Sequence, residues 1–247
     1  MELDVRVSII TVCRNSETVL GKTMEAVLGQ SYHNIEYIVV DGRSEDGTVA
    51  LAESYRAAFE KKGYLFKLVS EEDNGIYDAM NKGIAMAAGR LIGIINSGDW
   101  YECQAVERVV DVYKKTNFDL FYADLRIFKP SGTMIKRARL PRRITTKDWN
   151  HPTTFIRDEV YDKFHYACRG LCDDLDLIMR VQRAGYKVVV LNEVLANFCF
   201  GGASNEKSIS GMISRIREKS RVYRENGFGR IYVLECVLVE LVKYIFA

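Results

Sequence analysis

Oxygen-bearing side chains recur in this sequence at places where several could meet. Thr11 and Asn15 follow one apolar run, Asp41 closes a second, Glu71 to Asp73 follow a third, and Asn96 to Asp99 a fourth. A further acidic step, Asp173-Asp174-Leu175-Asp176, opens a segment of helical spacing. Carboxylates so placed have three uses. They bind a hard cation through oxygen, take a proton from a hydroxyl, or satisfy the free amides of a turn or helix start. Asp and Asn favour turns for the last reason alone, so residue type does not choose between these uses. The stretch Gly93–Trp100, GIINSGDW, poses the choice most sharply, because three apolar residues run directly into a polar turn that delivers one carboxylate.

The elements that must position these groups alternate in type. Val5–Val12 is an apolar, β-branched run, and Glu17–Gln30 has helical spacing behind Asn15 and Ser16 as capping residues. The unit repeats with Ile35–Asp41 before Thr48–Lys61, with Tyr64–Ser70 before Ile76–Ala88, and with Leu91–Asn96 before Cys103–Lys115. Helices of this length suit crossovers between parallel strands, so four units predict an α/β sheet with helices on both faces. In such sheets ligands bind beyond the carboxyl ends of the strands, and all four polar clusters fall there. Asp119–Phe128 reads as another strand, and an irregular stretch follows through Arg143. An acid-rich helix near Asp173–Ala184, a strand over Tyr186–Asn192 and helices over Ser208–Arg224 and Ile231–Phe246 complete the pattern.

Composition narrows the classes. With 247 residues and 48% hydrophobic content, the chain can bury one large core. A formal charge of +2 gives no general attraction for nucleic acid, and no nucleic-acid partner is expected. Cysteines at 13, 103, 168, 172, 199 and 236 contain no C-x-x-C pair, which fits neither a zinc site nor a disulfide framework and suits a reducing, cytoplasmic setting. The first residues lack a secretory pattern, and Ile231–Phe246 is too short and too charged to span a bilayer comfortably. Neither G-x-G-x-x-G nor G-x-x-x-x-G-K-[ST] is present, which removes the main support for a dinucleotide-binding or phosphate-loop enzyme.

The segments VSIITVCRN (7–15), VVDGRSEDGT (39–48), EEDNGIYDAMNKGI (71–84), GIINSGDW (93–100), CDDLDLIMRV (172–181) and FGGAS (200–204) together resemble, in order, the signatures of family 2 glycosyltransferases. The resemblance implies a GT-A-like, Rossmann-like fold with a mostly parallel central sheet flanked by helices. It implies a catalytic domain over 1–205 and a C-terminal helical extension over 206–247. It implies nucleotide contacts from Thr11, Asn15, Asp41, Asp73 and Asn81, and a divalent cation, Mg or Mn, on Asp99, with Asn96 as a weaker oxygen donor. Where the family often has two adjacent acids, this chain has Ser97-Gly98-Asp99, so one candidate carboxylate is missing. The acidic step matches the family's E/D-D pair, whose second acid is the general base. That makes Asp174 the base and leaves Asp173, in place of the more usual Glu, to position it or to meet the acceptor. His151 matches a position that often faces the active site, and Trp100 and Trp149 could stack on a sugar, although an aromatic beside a turn more often packs in a core.

The expectation is therefore an inverting transferase that moves one sugar from a nucleotide-sugar donor, UDP before GDP, to a saccharide or lipid-linked acceptor. Two alternatives stand beside it: a nucleotidyltransferase that makes activated sugars, and a non-catalytic nucleotide-sugar-binding module. Lys136–Arg143 places five cations in eight residues, as a solvated loop or as a phosphate contact. In the last helix Leu234, Val237, Leu238, Leu241 and Ile245 share one face, for packing on the domain or on a second copy as a homodimer, or for a peripheral membrane contact at the inner face.

Overall fold

The computed structural model describes residues 4–199, 208–229 and 231–246. Its first half follows the alternating pattern closely. Strands β1 (Val7–Cys13), β2 (Ile35–Asp41), β3 (Leu65–Ser70) and β4 (Leu91–Ile94) lie in the order β3-β2-β1-β4, all parallel. Their connections carry α1 (Glu17–Leu28), α2 (Thr48–Ser54), α3 (Arg56–Lys61) and α4 (Ile76–Met86). The expected single helix over Thr48–Lys61 is divided at Tyr55 into α2 and α3.

The strands read as continuous apolar runs because both faces are covered. On β1, Ile9 packs with Leu20, Met24 and Val27 of α1 and with Phe59 of α3, whereas Ile10 and Val12 pack with Met80 and Ile84 of α4. Each of these side chains is at most 8% exposed, and full burial of one such group stabilises by about 1.5–3 kcal/mol.

The second half is mixed, and its order could not be read from the pattern. It holds β5 (Trp100–Tyr101), α5 (Ala105–Thr116), β6 (Leu120–Lys129), β7 (Gly132–Lys136), a 3-10 turn at His151–Thr153, β8 (Phe155–Arg157), α6 (Asp158–Tyr161), α7 (Asp173–Arg183) and β9 (Val188–Cys199). The short strand β8 runs antiparallel to both β4 and β6 and so joins the two halves into one sheet, while β9 runs parallel to β6 and antiparallel to β5. The strand expected over Tyr186–Asn192 continues to Cys199, with register shifts opposite Asp124. The FGGAS segment, 200–204, lies outside the described residues.

Helices α8 (Ile209–Glu225) and α9 (Ile231–Phe246) form the C-terminal pair. Helix α9 does not use its leucine face to pack on the domain. Glu240 is fully buried against Arg215, at 2.8 Å, and Lys219, while Leu234 and Leu238 are 65% and 63% exposed. A carboxylate between two cations, not the leucine face, ties this helix to α8. Glu235 adds an ion pair to Lys147 at 2.7 Å. Among the described residues no helix is long and apolar enough to cross a membrane.

Candidate active site

The carboxyl ends of β1, β2 and β3 border a polar cleft of about 540 Å³, lined by Arg14, Gly42, Arg43, Glu72, Asp73 and Asn74 among others. Asp41 forms the structural floor beside it. The residue is completely buried, and its carboxylate accepts the Ser44 amide at 2.9 Å and the Ser70 hydroxyl at 2.6 Å, as well as the Ser44 hydroxyl. These bonds fasten the turn after β2 to the end of β3. Asp41 thus shapes the cleft instead of opening onto it. Its neighbour Cys13 is also buried, and burial together with the Asp41 charge pushes its thiol up to about 12.

Asp73 lines the cleft, with one oxygen accepting the Gly75 amide at 2.9 Å. A Cβ on Gly42 would lie 2.2 Å from the other oxygen, so any larger residue there would displace the Asp73 carboxylate. Asn15 plays a different part from the one expected. At φ +48 it receives the Glu45 amide on its side chain at 2.9 Å and donates its own amide to Ser44, locking two adjacent turns together. Thr11 is fully buried and its hydroxyl accepts from Tyr37 at 3.0 Å, because odd-numbered residues of β1 face the α1 side of the sheet. The cations Arg14 and Arg43 were missed, although both stand inside the segments that carried the family resemblance.

The turn after β4 delivers Asp99, 4% exposed. Thr23 holds it from α1, its hydroxyl donating to the Asp99 carbonyl at 2.7 Å and accepting the Gly98 amide at 2.9 Å. Burial pushes the Asp99 carboxyl up to about 7, and the Cys199 amide, 3.1 Å from one oxygen, pulls the other way. The buried Asn96 side-chain oxygen has no hydrogen-bond partner among the described residues. A desolvated carboxylate and an orphaned carbonyl oxygen in one turn are hard donors of the kind that Mg or Mn takes, so these residues fit such a cation. No cluster of three acidic, histidine or cysteine ligands exists among the described residues, so the remaining positions would fall to the donor's oxygens and water. Gly98 sits at φ +93, and an acid restored at this position would be strained.

The acidic step separates into three roles. Asp173 is 1% exposed; one oxygen accepts the Arg169 amide and the other faces Arg221 at 3.9 Å. Asp176, also buried, accepts from Arg180 at 2.8 Å and from Asn226 at 2.8 Å. Only Asp174 is partly exposed, with one oxygen on the Leu175 amide at 2.7 Å. His151, at the start of the 3-10 turn, lies near enough for the Asp174 charge to raise its pKa, but burial dominates and lowers it below the usual histidine range. His151 packs edge-on against Trp149, whose ring is buried and donates to Thr154 at 2.7 Å, so Trp149 is a core residue.

Two other expected contacts are spent elsewhere. Asn81 uses its amide on the Tyr166 backbone, donating at 2.9 Å and accepting at 3.2 Å, and so anchors the loop before α7 to α4. Trp100 lies against Phe128, with the Lys22 ammonium 3.1 Å from its ring centre, and supports the α1 side of the sheet. The basic stretch is also partly internal: Lys136 donates to the Trp149 carbonyl, Arg137 pairs with buried Asp124, and Arg143 donates to the Gly227 carbonyl.

The helix-flanked, mixed α/β sheet is the architecture of GT-A-fold proteins. The chain matches glycosyl transferase family 2 over residues 8–172 and belongs to that family. It is 28% identical over 236 residues to the uncharacterized glycosyltransferase Rv1514c of Mycobacterium tuberculosis, covering 90% of this chain and 86% of that protein. A 104-residue stretch is 34% identical to the putative glycosyltransferase EpsH of Bacillus subtilis, covering 42% of this chain but only 29% of EpsH. Among solved structures the fold is similar to the S. aureus protein TarS, residues 1–349, in complex with UDP, with a TM-score of 0.66, 14% identity and coverage of 98% of this chain and 72% of that one. It is similar also to the mannosyltransferase PcManGT of Pyrobaculum calidifontis in complex with GDP-Man and Mn2+, with a TM-score of 0.68, 14% identity and coverage of 100% and 76%.

Proposed function

We propose that this glycosyltransferase moves a sugar, with inversion, from a nucleoside diphosphate sugar to a saccharide or lipid-linked acceptor. The observation that carries the reading is the division of labour in the acidic step. Asp173 and Asp176 are both 1% exposed, Asp176 held by Arg180 and Asn226 and Asp173 by one oxygen on the Arg169 amide, which leaves Asp174 as the acid a substrate hydroxyl can reach. A sugar hydroxyl is a weak acid, so its attack on the anomeric carbon is efficient only if a base takes the proton as the new bond forms. Asp174 takes that proton, the bond from the anomeric carbon to the diphosphate breaks on the opposite face, and the nucleoside diphosphate leaves with the bonding pair. His151 lies near this acid, and burial lowers its pKa against the raising effect of the Asp174 charge.

The cleft at the ends of β1 to β3 takes the nucleotide, with Asp73 as a hydrogen-bond acceptor and Arg14 and Arg43 as cations for the diphosphate. Asp99 and Asn96 would hold Mg or Mn, which when bound neutralises the charge that develops on the leaving diphosphate. UDP is the first choice of nucleotide and GDP the second; the two similar solved structures bind one of each. The peripheral placement at a membrane surface is part of the proposal for a lipid-linked acceptor, with the exposed face of α9 as the contact.

Incubation with UDP- or GDP-sugars, with and without Mn, tests the reading directly. Release of nucleoside diphosphate, with transfer to an acceptor, is expected. Release of pyrophosphate would establish a nucleotidyltransferase instead, and binding without any release a non-catalytic module.

A further inference from the structure

The acidic step lies at the start of α7, and what holds it there comes largely from α8; both stand beyond residues 8–172, which match the family. Glu218 accepts the Leu171 amide, three residues before Asp174. The approach is close: a Cβ on Gly170 would lie 2.2 Å from one Glu218 oxygen. Arg221 donates to the Arg169 carbonyl at 3.5 Å and faces Asp173 at 3.9 Å. Glu225 pairs with Arg169 at 3.3 Å, and Asn226, at the end of the helix, binds Asp176. From the opposite side α4 holds the same loop, since Tyr77 donates to the Leu171 carbonyl at 3.0 Å and Asn81 binds Tyr166. The amide and the carbonyl of Leu171 are therefore gripped by different helices, and Asp174 follows from that grip.

We infer that Glu218 and Arg221 are positioning residues for transfer: by fixing residues 169–173 they aim the Asp174 carboxylate at the acceptor hydroxyl. The inference rests on the reading of Asp174 as the base. Displacement of a catalytic group by about 1 Å can cost about 100-fold in rate, so loosening this grip should be felt in turnover without any contact to substrate.

In the full chain, Glu218→Ala should lower kcat about 10- to 100-fold and leave the donor KM unchanged, while Glu218→Gln, which keeps an acceptor oxygen for the Leu171 amide, should restore most of the loss. Gly170→Ala should reproduce the defect from the other side by displacing the Glu218 carboxylate, and it guards against a folding defect peculiar to one variant. Amide exchange at Leu171 should quicken in Glu218→Ala while α7 stays protected. In an Asp174→Asn background Glu218→Ala should cost nothing further, because residues that act through one group are not additive. Normal kcat in Glu218→Ala with fast Leu171 exchange would overturn the inference and leave the base assignment standing. Near-normal transfer by Asp174→Asn itself would overturn the base assignment, while the exchange result would still show whether Glu218 holds the loop. A full additional loss in the double variant would show that Glu218 acts by another route.

Discussion

The polar cleft and the acidic step both depend on aspartates, yet they use them in opposite ways. In the cleft, Asp41 is sealed beneath the surface with its oxygens on Ser44 and Ser70, and the side chains presented to a ligand are Glu45, Glu72, Asp73 and Asn74 together with Arg14 and Arg43. In the acidic step, the neighbours Asp173 and Asp176 are sealed and Asp174 alone is left accessible. One region spends its deepest acid on shape, and the other spends two acids on shape to present a third. A carboxylate at a strand or helix end is thus not a reagent by virtue of its place; what its oxygens already hold decides.

The sharpest way to break this contrast is at its reactive end. Asp174→Asn keeps the shape and removes the basicity, so the turnover number should fall by about 10²–10⁴-fold while nucleotide affinity, measured by calorimetry, stays near that of the parent. Asp173→Asn should be milder in chemistry but visible in stability, since it leaves Arg221 facing a neutral group. If instead Asp173→Asn abolishes turnover and Asp174→Asn does not, the roles are exchanged.

Asp99→Ala should come next, with loss of the dependence of turnover on added Mn and a large fall in activity. Full activity of the unmodified protein in excess chelator would count against a cation at this turn. Restoring a second acid with Gly98→Asp should bring little gain, because the backbone there, at φ +93, disfavours any side chain.

On the shape-forming side, Asp41→Ala should destabilise by about 1–3 kcal/mol, the cost of leaving buried donors unsatisfied, and should weaken nucleotide binding only as a consequence of the loosened turn. Unchanged thermal stability with lost nucleotide affinity would return Asp41 to the role of a direct contact.

The smallest effect concerns His151. Its pKa is lowered by burial in the folded chain, so the unfolded chain binds its proton more readily, and the stability that neutral His151 allows is complete above about pH 6.5 and is lost as pH falls below it. His151→Gln should flatten that part of the thermal-stability profile. A profile of the same slope in both proteins would show that His151 does not govern it.

Much of this arrangement was legible in the sequence. The four parallel strands and their helices follow from apolar runs and 3.6-residue spacing, and α7, α8 and α9 fall within a residue or two of where they were expected. What could not be read were the short strands: β5 and β8 owe their place to partners far along the chain, and β7 is a five-residue hairpin arm on β6, too short to show a period. Direction within a strand was also hidden: the pattern marks β1 as buried on both faces but does not tell which side Thr11 takes. Asn81 and Trp100 were read as site residues because their types suit ligands, and the structure uses the same hydrogen-bonding and stacking capacity internally. Arg14 and Arg43 follow strand ends in the sequence, but an arginine there carries no turn or capping signal that would mark it as part of a cleft.

The burial of Glu240 between Arg215 and Lys219 bears on how the chain can be cut. A version ending before α9 would not simply shed a tail. It would withdraw the anion from around which two long cationic side chains are folded, and with it part of the footing of α8, which in turn reaches the loop of the acidic step. Segment swaps with relatives would therefore exchange α8 and α9 as a pair, with the junction placed ahead of Ser208.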